Sequence, residues 1–141
     1  MNTKRFLSGF LGAVATVALT ADLLRSAAPE GVELYFISPT DGATVAGPVT
    51  VRFGLSGMGI APAGIAMENT GHHHLLIDAE LPAYDRPVPA DDRHVHFGKG
   101  QTEAVVKLAL GRHRLQLLLG DHLHIPHEPP VVSKPIAITV R

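Results

Sequence analysis

The sequence of 141 residues contains no cysteine, and aromatic residues make up only 5% of it. Without thiols, a cysteine nucleophile, disulfide cross-links and zinc sites built on thiolates are excluded. An excess of charge is also missing, because 12 lysines and arginines stand against 13 acidic residues. A chain so close to neutral has no basic surface for phosphate backbones, so we do not expect a nucleic-acid partner.

The size and composition are those of one folded domain. A chain of 141 residues with 45% hydrophobic and 18% charged residues can bury a core, but it is short for two domains.

The N-terminus has the pattern of a secretory signal. Lys4 and Arg5 precede an uncharged apolar run at residues 6–21, which is short for a membrane span of about 20 residues. We predict that residues 1–28 form a signal helix, either cleaved or kept as an uncleaved anchor, and that residues 29–141 form the domain. The protein is then periplasmic or secreted, and a membrane is a partner only if the signal is uncleaved.

Beyond residue 30 the pattern is all-β. Val49, Val51 and Phe53 alternate with Thr50 and Arg52, which predicts a strand with one face on a core. Similar alternation marks strands at 33–37, 104–108, 113–119 and 136–140, with glycine, proline and aspartate between them. About seven short strands favour an immunoglobulin-like β-sandwich, and a closed barrel or jelly roll is the alternative.

Nine histidines are the most unusual feature, and all of them fall within residues 72–127. They form three clusters, at 72–74, 94–96 and 122–127, with His113 alone. Each cluster contains a His-x-His spacing, which in an extended segment places both imidazoles on one face, about 6–7 Å apart. If the strands follow the immunoglobulin order, the three clusters meet at one pole of the sandwich, and His113 lies at the other end.

Converging imidazoles indicate a metal site, because neutral imidazole binds copper, zinc and nickel well. The predicted ligands are His72, His74, His94, His96, His122 and His124, with His127 as a further ligand. Asp78 and Asp121 are candidates to hold ligand imidazoles by hydrogen bonds. Met58 and Met67 precede the first cluster, and a thioether near the site would favour copper, although both are more typical of packing residues.

The alternative is a polar network without metal, since imidazoles can donate to and accept from one another. In that case the same surface is a non-catalytic interaction module for an envelope protein. His73 and His113 are expected to be structural under either hypothesis.

Catalysis is not indicated by any motif. The sequence has no Gly-x-Ser-x-Gly, no His-Glu-x-x-His and no phosphate-binding glycine loop. We therefore expect a binding protein and not an enzyme, with a metal-dependent hydrolase using Glu128 or Asp121 as base as the third hypothesis.

Four segments resemble the bacterial family catalogued as domain of unknown function 4399. They are ISPTDGATV at 37–45, GHHHLLID at 71–78, HVHFGKGQT at 94–102 and LLLGDHLHIPH at 117–127. The resemblance implies a small, exported, single-domain protein, but no activity. The predicted function, binding or delivery of copper or zinc, therefore depends on the histidines.

Overall fold

The structure is a computed structural model that describes residues 25–141. The apolar segment 6–21 lies outside the described residues, so the signal helix stays a prediction. Among residues 25–141, no helix combines the length and the hydrophobicity needed to cross a membrane.

Nine β-strands form within residues 25–141. In chain order they are β1 (Glu33–Ser38), β2 (Thr44–Val45), β3 (Val49–Ser56), β4 (Gly59–Ile60), β5 (Thr70–Ile77), β6 (His94–His96), β7 (Glu103–Val106), β8 (Gly111–Gly120) and β9 (Ile136–Val140). In β3, Val49, Val51 and Phe53 are buried and Thr50 and Arg52 are exposed, as the alternation predicted.

The strands form two sheets. One has the order β1-β3-β7, and the other has the order β2-β9-β8-β5-β4 with β6 paired to β5. In the immunoglobulin lettering, β1, β3 and β7 take positions A, B and E, and β5, β8 and β9 take positions C, F and G. The predicted immunoglobulin-like β-sandwich is confirmed.

The main core lies between the two sheets. The ring of Phe53 in β3 packs against His73 in β5 and against Phe97, with centroid distances of 4.9 and 4.8 Å. Leu75 and Leu117 extend this core from the larger sheet. His73 is therefore a core residue, on the face of β5 opposite to its two histidine neighbours.

The outer face of β5 is also buried, which the alternation did not predict. Leu76 and Leu118 pack there against Val88 and Val132, which come from two long loops. An antiparallel sheet commonly leaves this face to solvent. Because the loops cover it, polar side chains on this face of β5 are removed from water.

Residues 25–28 run beside residues 126–128. The Ala28 amide donates to the Glu128 carbonyl oxygen at 2.9 Å, and Arg25 donates to the Glu128 carboxylate and to two backbone carbonyl groups nearby. The predicted boundary between leader and domain falls at the end of this contact. The position of any cleavage stays a prediction.

Candidate metal centre

His72 and His74 lie side by side on the outer face of β5, and both are fully buried. Their ring centroids are 4.6 Å apart, closer than the about 6–7 Å that separates residues two apart in a strand, so the two rings lean toward each other. The ring of His74 has space because Gly120, on the neighbouring strand β8, has no side chain. A Cβ atom at Gly120 would lie 2.4 Å from Cε1 of His74.

His124 reaches this pair from the turn that follows β8. The sequence predicted an extended segment, but the Asp121 carboxylate accepts the amides of Leu123 and Ile125 at 2.9 and 3.0 Å and folds the chain into a turn. His124 has a φ of 64°, in the left-handed region that costs a residue with a Cβ about 1–2 kcal/mol. The turn brings His124 to His72 and His74 and leaves His122 away from them.

His96 brings a fourth imidazole from β6. It is paired with His74 across the two strands, and the ring centroids are 4.3 Å apart and nearly perpendicular. Nε2 of His96 lies 2.7 Å from the carbonyl oxygen of Pro89, so this nitrogen carries the hydrogen and donates it. Nδ1 of His96 is then left with its lone pair free for an ion.

Ring nitrogens of the other three histidines lie around Nδ1 of His124. This atom lies 2.9 Å from Nε2 of His72, 3.3 Å from Nε2 of His74 and 3.1 Å from Nδ1 of His96. Zinc–nitrogen bonds of about 2.0–2.1 Å in a tetrahedron separate the ligand atoms by about 3.3 Å, which is close to these distances. We call these four residues the histidine cluster. Its members His72, His74 and His124, whose ligand atoms all lie within 4.8 Å of one another, could hold a metal ion.

Burial keeps His72, His74 and His124 uncharged at neutral pH. Desolvation, reinforced by the neighbouring imidazoles, lowers the pKa of His72 to about 4 and that of His74 to about 2. Desolvation and the nearby His96 also lower the pKa of His124. Neutral imidazole is the form that binds metals, so an ion would not have to displace protons from these rings at pH 7.

Three of the seven predicted ligands lie outside the cluster. The Nδ1 atom of His94 is 2.8 Å from the Asp91 carboxylate, and Nε2 of His127 is 3.1 Å from the carbonyl oxygen of Thr70. His122 lines a separate cavity of about 310 Å³. The prediction that all three histidine pairs share one site is therefore corrected, because the turn and the local hydrogen bonds direct these rings elsewhere.

The two predicted supporting carboxylates are also placed differently. Asp78 accepts a hydrogen bond from Nδ1 of His113 at 2.7 Å, at the opposite end of β8. Asp121 holds the turn by its backbone bonds and accepts the Ser26 hydroxyl at 2.8 Å. In the described part of the chain neither carboxylate is hydrogen-bonded to a cluster imidazole. Asp121 positions His124 through the turn, and its charge partly opposes the lowering of the pKa of His124.

The methionines do not belong to the cluster. Met58 packs against the main core, and Met67 is 61% exposed. The cluster therefore consists of imidazole donors, and the thioether argument for copper is not supported.

Sequence reasoning missed two residues that shape the cluster, Gly120 and Pro89. Gly120 directly follows the predicted strand 113–119 and is the last residue of β8, where a glycine can mark a close approach of another group. The role of Pro89 had no signal in the sequence, because its carbonyl group reaches His96 only through the folded loop.

Replacing Gly120 with alanine is expected to displace the ring of His74. The new Cβ would lie 2.4 Å from Cε1 and 3.0 Å from Nδ1 of that ring, closer than van der Waals contact allows. We expect the free energy of unfolding to fall by about 1–3 kcal/mol. Urea denaturation measures this, and Gly59→Ala is the control, because its Cβ would meet its nearest neighbour at an ordinary 3.5 Å. Equal stability of the two variants would contradict the expected displacement.

The family model described as "Domain of unknown function (DUF4399)" matches residues 51–141, a range that includes the whole histidine cluster. A comparison with curated proteins found no match. Among solved structures, the chain is similar to the fibronectin(III)-like modules of Clostridium thermocellum CbhA, with 12% identity and a TM-score of 0.34. That similarity covers 76% of this chain and 92% of the other. The sandwich architecture follows from the strand order of the two sheets.

Proposed function

Because the chain belongs to family DUF4399, a domain of unknown function, we propose its function from the histidine cluster: the protein binds a transition metal ion, copper or zinc, for storage or delivery. The proposal concerns binding and not catalysis.

The contacts of His124 are the observation that carries this proposal. Its Nδ1 atom faces ring nitrogens of three other histidines at 2.9–3.3 Å. A ring nitrogen has either one hydrogen or one lone pair, so it can form a good hydrogen bond with only one of the three. In each remaining contact, two lone pairs or two hydrogens would face each other and repel. A cation between the nitrogens would instead accept all the lone pairs together.

Unsatisfied polar atoms support the same conclusion. The Nδ1 atoms of His72 and His74 are buried and have no hydrogen-bond partner. A buried network that serves only to fasten loops is expected to satisfy its polar groups, because each unpaired group costs about 1–3 kcal/mol. Bonds from the Nε2 atoms to an ion would offset that cost.

The donor set favours borderline metal ions. Imidazole nitrogen suits zinc, copper and nickel, whereas calcium and magnesium prefer oxygen ligands. The triad of His72, His74 and His124, with Nε2 atoms at 2.9 and 3.3 Å from Nδ1 of His124, is near the spacing of zinc ligands and also suits copper. We propose copper or zinc for this reason.

Location and partners follow from the N-terminal sequence alone. Lys4, Arg5 and the apolar run at 6–21 support export to the periplasm or secretion. An exported metal carrier is expected to meet an envelope protein that supplies or receives the ion, and we propose such a partner on the same basis.

Edge-to-face ring packing favours a second candidate function. His74 packs against His96 at 4.3 Å and His72 against His124 at 4.7 Å, so the rings join β5, β6 and the turn even without an ion. In that case the cluster is a structural network that fixes the surrounding loops, and the protein is a non-catalytic interaction module for an envelope protein.

Elemental analysis and metal titration separate the two functions. The domain is purified without a polyhistidine tag, analysed for bound metals and titrated with Zn(II), Cu(II) and Cu(I). We expect one ion per chain, and the same stoichiometry for the control His113→Ala, since His113 lies outside the cluster. An affinity no tighter than about 10 μM for every ion would overturn the metal proposal in favour of the network.

A further inference from the structure

A groove of about 610 Å³ lies beside the histidine cluster, between β6 at the edge of one sheet and β7 at the edge of the other. Its lining includes the two histidines of β6, His94 and His96. Residues two apart in a strand point to the same side, about 6–7 Å apart. His94, Val95 and His96 all line the groove, so β6 forms one of its walls.

His96 belongs to both the groove and the cluster. It lines the groove, and its Nδ1 atom lies 3.1 Å from Nδ1 of His124. The other three members of the cluster do not line this groove. Access from the groove to the buried nitrogens therefore passes the ring of His96.

His94 is held in a form suited to bind a cation. The Asp91 carboxylate accepts the hydrogen of Nδ1 at 2.8 Å and also accepts the Arg93 amide at 2.9 Å. This bond leaves the lone pair on Nε2 and fixes the orientation of the ring, as a carboxylate does for the histidine ligands of metal sites. Because His94 is not in the cluster, its bond to Asp91 does not orient a ligand of the cluster.

The charges along the groove also favour a cation. Asp91 and Asp92 line it together with a single lysine, Lys107. Two carboxylates against one ammonium group leave an excess of negative charge, and a cleft of this kind raises the local concentration of cations.

We propose that this groove is the route by which a hydrated divalent cation reaches the cluster, with His94 as the capturing ligand. This inference rests on the proposed function. Nε2 of His94 replaces one water of the hydrated ion, and the remaining waters leave as the nitrogens of His96 and the deeper histidines replace them. His94 then releases the ion, so it affects the rate of loading and not the final coordination.

Stopped-flow mixing with Cu(II), followed by its visible absorption, tests the route. The variant His94→Ala is expected to slow metal association by at least about tenfold. Stoichiometry and equilibrium affinity are expected to stay unchanged. Because affinity is the ratio of the association and dissociation rates, extraction of the ion by an excess of chelator is expected to slow by the same factor. Asp91→Asn keeps an acceptor for both hydrogen bonds but removes the charge, and it is expected to slow association in the same direction.

The chain offers a matched control in His113, which is also held by an aspartate, at 2.7 Å, but at the far end of β8. His113→Ala is expected to load and release Cu(II) at the wild-type rates. Wild-type rates in His94→Ala and Asp91→Asn would overturn the route while leaving the metal site intact. Loss of stoichiometry in His94→Ala would make His94 a permanent ligand and would also overturn it. Failure of the wild-type protein to bind Cu(II) would overturn both this route and a copper site.

Discussion

Replacing His124 with glycine is expected to remove metal binding while changing the free energy of unfolding of the metal-free protein by less than about 1 kcal/mol, because relief of backbone strain offsets the lost ring contacts. Nδ1 of His124 lies 2.9–3.3 Å from ring nitrogens of the three other histidines, and loss of this ligand is expected to weaken affinity by at least about 100-fold. Glycine at a φ of 64° also relieves backbone strain of about 1 kcal/mol. Competition titration measures the affinity, and urea denaturation in chelator measures the stability.

This variant distinguishes a metal site from a structural network. In a network, loss of His124 leaves buried nitrogens unpaired and lowers the free energy of unfolding by about 1–3 kcal/mol. Asn69→Gly is the matched control, because Asn69 also has a left-handed backbone, with a φ of 56°, but lies outside the cluster. Destabilisation of His124→Gly in chelator, together with wild-type metal affinity, would contradict the metal site.

The second large effect is a loss of stability in acid, measured on the metal-free protein. In the folded protein the pKa is about 4 for His72 and His73 and about 2 for His74, each lowered chiefly by burial, whereas the unfolded value is near 6.5. Below pH 6.5 the unfolded chain therefore binds protons that the folded chain excludes. The free energy of unfolding is expected to fall as pH drops from about 6.5 to 4. Its slope against pH is expected to approach the value for about three protons taken up on unfolding.

Urea denaturation at a series of pH values in chelator gives this slope. His73→Leu is the informative variant, because it removes one buried imidazole from the main core and leaves the metal-binding face of β5 in place. Its slope is expected to be smaller by about one proton. The pKa of His113 is raised chiefly by its hydrogen bond to Asp78, so its contribution has the opposite sign and is lost as pH rises through the folded pKa. A stability that stays constant between pH 6.5 and 4 would contradict the burial of neutral histidines.

The strands were predictable because their information is local. Alternation in β3 and β9 marks which side chains face the core, and the observed bounds of β9 match the predicted 136–140. The sandwich topology could be inferred from the strand count, because few arrangements accommodate about seven short strands. The long loops over the outer face of β5 left no such periodic signal, so their position could not be derived.

The site was predictable only in part, and the difference lies in the conformation of each histidine pair. The pair His72 and His74 is in a strand, so a spacing of two placed both rings together. The pair at 122 and 124 is in a turn set by Asp121, where the same spacing separates the rings. His94 shares a strand with His96, but its bond to Asp91 holds it beside the cluster and not in it.

By itself, the sequence determined the all-β class, the positions of β1, β3, β7, β8 and β9 and the concentration of histidines in three segments, since alternation and composition are local properties. Only the tertiary structure decided which imidazoles meet. That selection depends on the pairing of β5 with β6 and β8, on the space left at Gly120 and on the left-handed backbone at His124. The strand pairings and the space at Gly120 involve residues far apart in the chain, and no residue pattern specifies the backbone angle at His124. The four histidines from three segments therefore come together only on folding.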